Sequence, residues 1–247
     1  MDMKIRAIIF DKDGTLLDFD AFWISVAVAA VSDILKAVNA DASLADECLA
    51  AIGTDGKTAA PDGILCKGTY AQMTDAFCDV LKKTNSCIEC DTLNTVVIKA
   101  FHDNISQGKV IPACNDITDV FKRLEKMGIK TAVVTTDDRY ITEKCLDLLG
   151  IKDFFCRIYT DDGIHPTKPN PYYIKQFCSD EGLERGEILM VGDTLTDITY
   201  AENGGIKSMG VSKTDEGKQL LLSKANFVAD DISQIFDVIN SMETDTI

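Results

Sequence analysis

The sequence is poor in positive charge, in histidine and in long apolar runs, and each shortage removes a class of function. Twenty-five Lys and Arg against forty Asp and Glu leave a net charge of −15, which opposes any general attraction to nucleic acid or to an anionic membrane surface. An anionic substrate must be drawn in by a few local cations. The chain has two histidines, His102 and His165, and a single CxxC, Cys87-Ile88-Glu89-Cys90; a four-ligand zinc site would have to be gathered from unrelated pieces. Nine cysteines are scattered through a chain far longer than a disulfide-stapled scaffold, so free thiols in a reducing cytoplasm are expected. No long apolar segment precedes Asp11, which speaks against a secretory signal of the usual form. The apolar stretch 21–31 is too short to cross a bilayer and continues into Ser32, Asp33 and Lys36.

At 247 residues, 46% hydrophobic and 26% charged, the chain can bury a substantial core in one large domain or two smaller ones. There is no internal repeat, no low-complexity tract and no heptad pattern, and nothing in the sequence sets the oligomeric state. The most informative stretch is Ile8-Ile9-Phe10-Asp11-Lys12-Asp13-Gly14-Thr15. A short apolar run ends in two aspartates spaced i, i+2, as at the end of a buried strand, with Gly14 turning the chain. Two carboxylates converging on one small site repel unless a cation or a shared proton offsets them. A polar turn after an edge strand would also produce this pattern. A calcium loop fits poorly, since Thr15 takes a ligand position and no glutamate closes a twelve-residue loop.

Three further apolar runs, 131–134, 154–159 and 188–191, each end in a polar cluster and lead into helical periodicity. Helices are expected over 115–126, stopping at Gly128, and over 140–149, 172–177, 197–203 and 232–239. Strands alternating with helices imply a mostly parallel sheet with helices on both faces, and ligands at the carboxyl ends of its strands. Between about 18 and 108 the periodicity is purely helical. Helices are expected over 21–38, over 43–52 behind a capping box at Ser43-Leu44-Ala45-Asp46, over 68–83 and over 92–106, with a loop at 53–67 separating the pairs. This divides the chain into an α/β core, 1–17 with 109–247, and a helical insert, 18–108.

Four strand ends supply complementary chemistry: Asp11 with Asp13, then Thr135, then Lys168, then Asp193 with Asp197. Taken singly, Lys168 reads as a loop charge, Thr135 as a helix cap, and Asp193 and Asp197 as the cap and first turn of a helix. Taken together, they provide a nucleophile, a proton source and positive charge for phosphoryl oxygens. In this order and spacing the chain resembles the haloacid dehalogenase superfamily of phosphotransferases, in the subgroup similar to phosphoglycolate phosphatase and beta-phosphoglucomutase.

The resemblance implies a Rossmann-like core and a helical cap domain inserted after the first strand. It implies that Asp11 is the nucleophile, forming an aspartyl phosphate, and that Asp13 protonates the leaving group and then activates water. Thr135 would hold a phosphoryl oxygen and Lys168 would position nucleophile and phosphate. Asp193 would complete a Mg2+ site with Asp11 and the backbone carbonyl of Asp13, with Asp197 behind it. An aspartate at position 13 points to phosphate rather than dehalogenase chemistry. Thr136, Lys67 and Arg139 are candidate substrate contacts, and Phe19, Phe22 and Trp23 are expected to pack the cap. The function implied is a magnesium-dependent phosphatase of a small phosphorylated metabolite, phosphoglycolate or a sugar phosphate. A phosphomutase and a non-catalytic phospho-ligand-binding protein are the alternatives.

Overall fold

A computed structural model describes residues 4–60, 63–83 and 89–244. The chain forms two compact units, 1–18 with 112–247, and 19–111. The first is built on a six-stranded sheet: β1 (Ala7–Phe10), β2 (Lys130–Val134), β3 (Phe155–Tyr159), β4 (Ile188–Gly192), β5 (Lys207–Val211) and β6 (Phe227–Ala229). The spatial order is β3-β2-β1-β4-β5-β6, and every neighbouring pair is parallel. The order reverses at β1, with β2 on one side and β4 on the other. In such sheets the crevice at the carboxyl ends of the strands flanking the reversal is the natural ligand site.

β1 is apolar at all four positions because both of its faces are covered. Ala7 and Ile9 pack into a cluster with Ile174 and Phe177 of α8 (Tyr172–Glu181) and with Tyr200 and Ala201 of α9 (Leu195–Gly204). On the opposite side, the Phe10 ring lies 5.2 Å from that of Phe121 in α6 (Ile117–Lys126) and 6.4 Å from Phe155 of β3. Full burial of one such ring contributes roughly 2–3 kcal/mol. Helices therefore cover both faces, as the alternating pattern implies. α6 ends ahead of Gly128, whose φ of 73° is a backbone state that glycine adopts without a β-carbon clash. Two strands and one helix were not apparent in the sequence pattern: β5, β6, and α10 (Asp215–Leu222). The remaining helices of this unit are α7 (Arg139–Leu148) and α11 (Ile235–Thr244).

The second unit is helical, with α1 (Phe19–Ala37), α2 (Ala45–Ala51), α3 (Ile64–Lys67), α4 (Tyr70–Lys82) and α5 (Cys90–Asp103). Its aromatic centre joins Phe22 to Trp23 at 5.2 Å and Trp23 to Phe101 at 6.3 Å, with Phe19 at 6.4 Å from Trp23. Phe22, Trp23 and Phe101 are buried, in keeping with a packing role. The capping box expected at Ser43 does not form. Asp41 lies two residues earlier and accepts the Ser43 N–H at 2.8 Å, capping a 3-10 turn that runs into α2. The reciprocal box forms instead at the start of α4, between Thr69 and Gln72. The loop at 53–67 carries the short α3, and Pro61 within it, like Cys87 of the CxxC, lies outside the described residues.

Candidate active site

The carboxyl end of β1 turns sharply. The Asp11 N–H donates to the Val191 carbonyl at 2.9 Å, extending the pairing with β4, and the Gly14 N–H donates to Leu17 at 2.8 Å while Leu16 N–H returns to Lys12 at 2.8 Å. Gly14 takes φ 78°, and a β-carbon there would run into the carboxylate of Asp193. The turn therefore places the 11–15 segment directly against the end of β4. Thr15, fully buried, donates from its hydroxyl to Asp193 Oδ1 at 3.1 Å and fixes that carboxylate.

Lys168 enters from the loop before α8. Its Nζ donates to Asp11 Oδ1 at 2.5 Å and to Asp197 Oδ1 at 2.6 Å. Asn203 of α9 donates to the Pro169 carbonyl at 2.9 Å and ties this loop to the helix. Asp197 sits in the first turn of α9, where its Oδ2 accepts the Thr194 N–H at 3.0 Å and the Thr194 hydroxyl at 2.6 Å. The Thr194 hydroxyl accepts the Asp197 N–H in return, so a reciprocal capping box holds the carboxylate at the helix start. Gly192, at the end of β4, has no room for a β-carbon because the Asp197 side chain occupies that space.

Ligand oxygens of Asp11, Asp193 and Asp197 lie within 4.8 Å of one another. Burial, opposed by Lys168 and helped by Asp197 and Asp13, pushes the Asp11 carboxyl up to about 7. Burial also lifts Asp193 well above the ordinary carboxyl range, with Asp11 and Asp197 adding to the effect. Burial opposes the charge on Lys168, but Asp11 and Asp197 more than reverse this and keep it an ammonium. One ammonium cannot neutralise three clustered carboxylates, so the cluster has the charge deficit that a hard divalent cation fills. Oxygen-only donors in a tight group suit magnesium better than zinc or a softer metal. The fit is closest for Asp11 and Asp193, because Asp197 already spends its lone pairs on Lys168 and Thr194.

The Asp13 carboxylate stands outside this group. Both of its oxygens are held by Lys12 Nζ, at 2.7 and 2.6 Å. The same nitrogen lies 2.8 Å from Asp137 Oδ2, a charge contact without good hydrogen-bond direction. Lys12 is completely buried; burial opposes its charge, and Asp13 and Asp137 together overcome that opposition. Thr135 is buried just past β2, where its hydroxyl accepts the Asp137 N–H at 3.2 Å. Thr136, beside it, is partly exposed.

Arg139, at the start of α7, is turned to other partners: it donates to the Ile158 carbonyl and pairs with Glu143 at 2.6 Å. Lys67 lies in α3 of the helical unit. The structure thus draws Asp11, Lys168, Asp193 and Asp197 into one cluster, with Asp13 and Thr135 in the adjoining turns. Lys12, Asp137, Thr15 and Thr194 were not singled out from the sequence. A lysine flanked by aspartates at the end of an apolar run was the available signal for the first of them.

Comparison with known proteins gives the family and the fold. A family model described as haloacid dehalogenase-like hydrolase matches residues 5–205. A phosphoglycolate phosphatase of Vibrio vulnificus is 27% identical over 242 residues, covering 96% of each chain. Pyrophosphatase PpaX of Halalkalibacterium halodurans is 24% identical over 239 residues, covering 96% of this chain and 98% of its own. Among solved structures, a predicted phosphoglycolate phosphatase from Haemophilus somnus superposes with a TM-score of 0.68 at 20% identity, over 95% of this chain and 97% of the other. A Bacillus subtilis protein assigned as a HAD-hydrolase, YfnB, solved bound to magnesium, has a TM-score of 0.66 at 16% identity, over 96% of this chain and 99% of the other. At these identities the two structures speak for the fold alone.

Proposed function

Because the chain belongs to the haloacid dehalogenase-like hydrolase family, we propose that it is a magnesium-dependent phosphatase that hydrolyses the phosphate monoester of a small metabolite. The observation that carries this reading is the contact of Lys168 with Asp11, 2.5 Å apart and beside Asp193, where β1 and β4 end together. A carboxylate attacks a phosphate poorly because both are negative, so the site must supply positive charge at the point of attack. Lys168 supplies one such charge, and magnesium held by Asp11 and Asp193, with the Asp13 carbonyl, would supply the rest by drawing charge from the phosphoryl oxygens.

In the first step an Asp11 oxygen forms a bond to phosphorus as the ester P–O bond breaks, and the Asp13 carboxyl gives its proton to the departing alcohol oxygen. In the second, water attacks the aspartyl phosphate, the bond to Asp11 breaks, and the water proton passes to Asp13. Inorganic phosphate leaves, and Asp13 is again an acid. Thr135 would donate to a phosphoryl oxygen. Thr136 would contact the rest of the substrate, and Arg139 would do so only on leaving the Ile158 carbonyl and Glu143.

The curated relatives' names place phosphoglycolate and pyrophosphate among the compounds to test first, with sugar phosphates beside them. Seven cysteines, Cys48, Cys66, Cys78, Cys114, Cys145, Cys156 and Cys178, are free thiols, which suits a reducing cytoplasm. No described helix is long and apolar enough to cross a membrane. The test is phosphate release with magnesium from a panel of phosphoglycolate, sugar phosphates, nucleotides, pyrophosphate and an aryl phosphate. Turnover of at least one ester, abolished in Asp11→Asn, is expected. Silence across the panel would overturn the reading, and an isomerised sugar phosphate in place of free phosphate would make the enzyme a mutase.

A further inference from the structure

Lys168 reaches Asp11 from a distance. Its loop, residues 160–171, leaves β3 at the edge of the sheet and leads into α8, while its ammonium meets Asp11 at the end of β1, with β2 lying between β1 and β3. A loop that delivers a charge across such a span needs bracing. At the β3 end the Asp161 N–H donates to the Asp137 carbonyl at 2.9 Å, and the Tyr173 hydroxyl donates to the Thr160 carbonyl at 3.2 Å. Near the tip Asn203 holds the Pro169 carbonyl. Between these points the rings of His165 and Tyr172 stack, with centroids 4.7 Å apart and planes 21° from parallel. The pair closes the neck of the segment 165–172, which carries Lys168 inside it.

Both rings are themselves anchored. Tyr172 opens α8, packs against the core cluster that holds Ile9 and Tyr200, and meets the Tyr173 ring edge-on at 5.2 Å. His165 Nδ1 lies 2.7 Å from Asp162 Oδ2, and because an ionised carboxylate only accepts, that nitrogen carries a proton. The other oxygen of Asp162 accepts the N–H groups of Ile164 and His165 at 2.9 and 2.8 Å. The imidazole is 41% exposed, so filling the core is not its task.

We infer that His165, held by Asp162 and stacked on Tyr172, is the positioning residue that closes the loop presenting Lys168 to Asp11. This inference rests on the phosphatase reading above. Lys168 Nζ serves the reaction only where it reaches Asp11 and Asp197 together, and an open neck spreads the nitrogen over positions that miss one or both. A small misplacement caused far from the chemistry is enough to slow it. A flat ring at position 165 keeps the neck closed, and a methyl group opens it.

The test assays His165→Ala, His165→Phe and Phe121→Ala with magnesium on an alkyl phosphate and on 4-nitrophenyl phosphate, each below its unfolding temperature. Lys168 serves the nucleophile and the phosphoryl group rather than the leaving group, so His165→Ala is expected to lower kcat roughly tenfold on both esters, with KM within roughly twofold. His165→Phe keeps a ring face on Tyr172 and is expected to stay within roughly threefold of the wild-type kcat. Phe121→Ala, whose rings lie around Phe10, Phe154 and Phe155, gives the effect of lost stability alone. A second readout needs no turnover: in the metal-free protein, His165→Ala should lower Tm less than about half as much in a Lys168→Met background as in the wild type, because the two residues act together. Normal kcat in His165→Ala, a Phe variant as slow as the Ala variant, a kcat loss no larger than in Phe121→Ala, or equal Tm shifts in the two backgrounds would overturn the inference. A wild type inactive on both esters would instead overturn the phosphatase reading, and the Tm comparison would still decide whether His165 acts through Lys168.

Discussion

Gly14 and Asp193 occupy space that only a glycine can share: a β-carbon at position 14 would overlap the Asp193 carboxylate. The 11–15 turn and the end of β4 are thereby brought into contact across 179 positions of sequence. Gly14→Ala must displace Asp193, and also adopts φ 78° at a backbone cost of roughly 1–2 kcal/mol. Gly150 isolates that second effect, since its φ is 67° and nothing lies within 4 Å of a β-carbon there. Gly150→Ala is expected to lose only the backbone term in urea unfolding and to keep full turnover. Gly14→Ala is expected to lose more stability and at least roughly a hundredfold in kcat/KM, together with the magnesium-induced rise in Tm. Similar behaviour of the two variants would count against the Asp193 contact as the reason for glycine.

Lys168 is the second point at which charge is balanced inside the site. Its side chain is 5% exposed, and its partners Asp11 and Asp197 are 10% and 1% exposed. Removing one member of a buried ion cluster leaves the others unpaired, which costs about 3 kcal/mol or more. Lys168→Met is therefore expected to lower the unfolding free energy of the metal-free protein by about that amount. It should also abolish phosphate release, because the nucleophile loses its guide. A stability loss with normal turnover would remove Lys168 from the reaction.

The strands bearing these groups differ in how plainly the sequence announces them. β1 and β4 are buried on both faces and read as unbroken apolar runs, and β2 is buried and apolar over its last three residues. β5, Lys-Ser-Met-Gly-Val, interrupts its apolar residues with Ser208 and Gly210, and β6 spans only three residues, so neither carries a pattern of its own. They become strands by pairing outward from β4, a tertiary effect. The site divides in the same way. Asp11, Asp13, Lys168 and Asp193 stand at the ends of runs or beside proline and glycine, where a reader looks. The contact of Lys12 with Asp137, which is remote in sequence, forms only when β1 pairs with β2. The capping box misplaced at Ser43 failed for a local reason: Asp41 is a better-placed acceptor for the same N–H.

Phe121 offers a separation of core from chemistry. It is fully buried, with ring contacts to Phe10 at 5.2 Å, to Phe155 at 5.0 Å and to Phe154 at 5.8 Å, none of them a candidate site residue. Phe121→Ala is expected to cost about 3–5 kcal/mol by urea unfolding, from lost burial and the cavity left behind. At a temperature where the variant remains folded, kcat and KM should stay within about twofold of the wild type. A large change in kcat would show that the packing behind β1 sets the position of Asp11.

Magnesium and protons compete for the same carboxylates, and the sign of that competition can be worked out. Asp11 is pushed from 3.8 up to about 7 by burial, against the pull of Lys168, and Asp193 is raised as well. A raised carboxyl binds more protons folded than unfolded between these values, so it removes stability from the metal-free protein as pH climbs from about 4 to about 7. Magnesium takes the place of those protons. Its stabilising effect should therefore be small near pH 5 and grow through pH 7, levelling off once both carboxyls are ionised. Differential scanning fluorimetry at fixed magnesium across pH 5 to pH 8.5, repeated with Asp193→Asn, checks this directly. The wild type is expected to gain a magnesium-dependent Tm shift that rises with pH, and the variant to lose most of it. A shift independent of pH would mean that the metal binds without displacing protons from Asp11 and Asp193, and that these two are not its ligands.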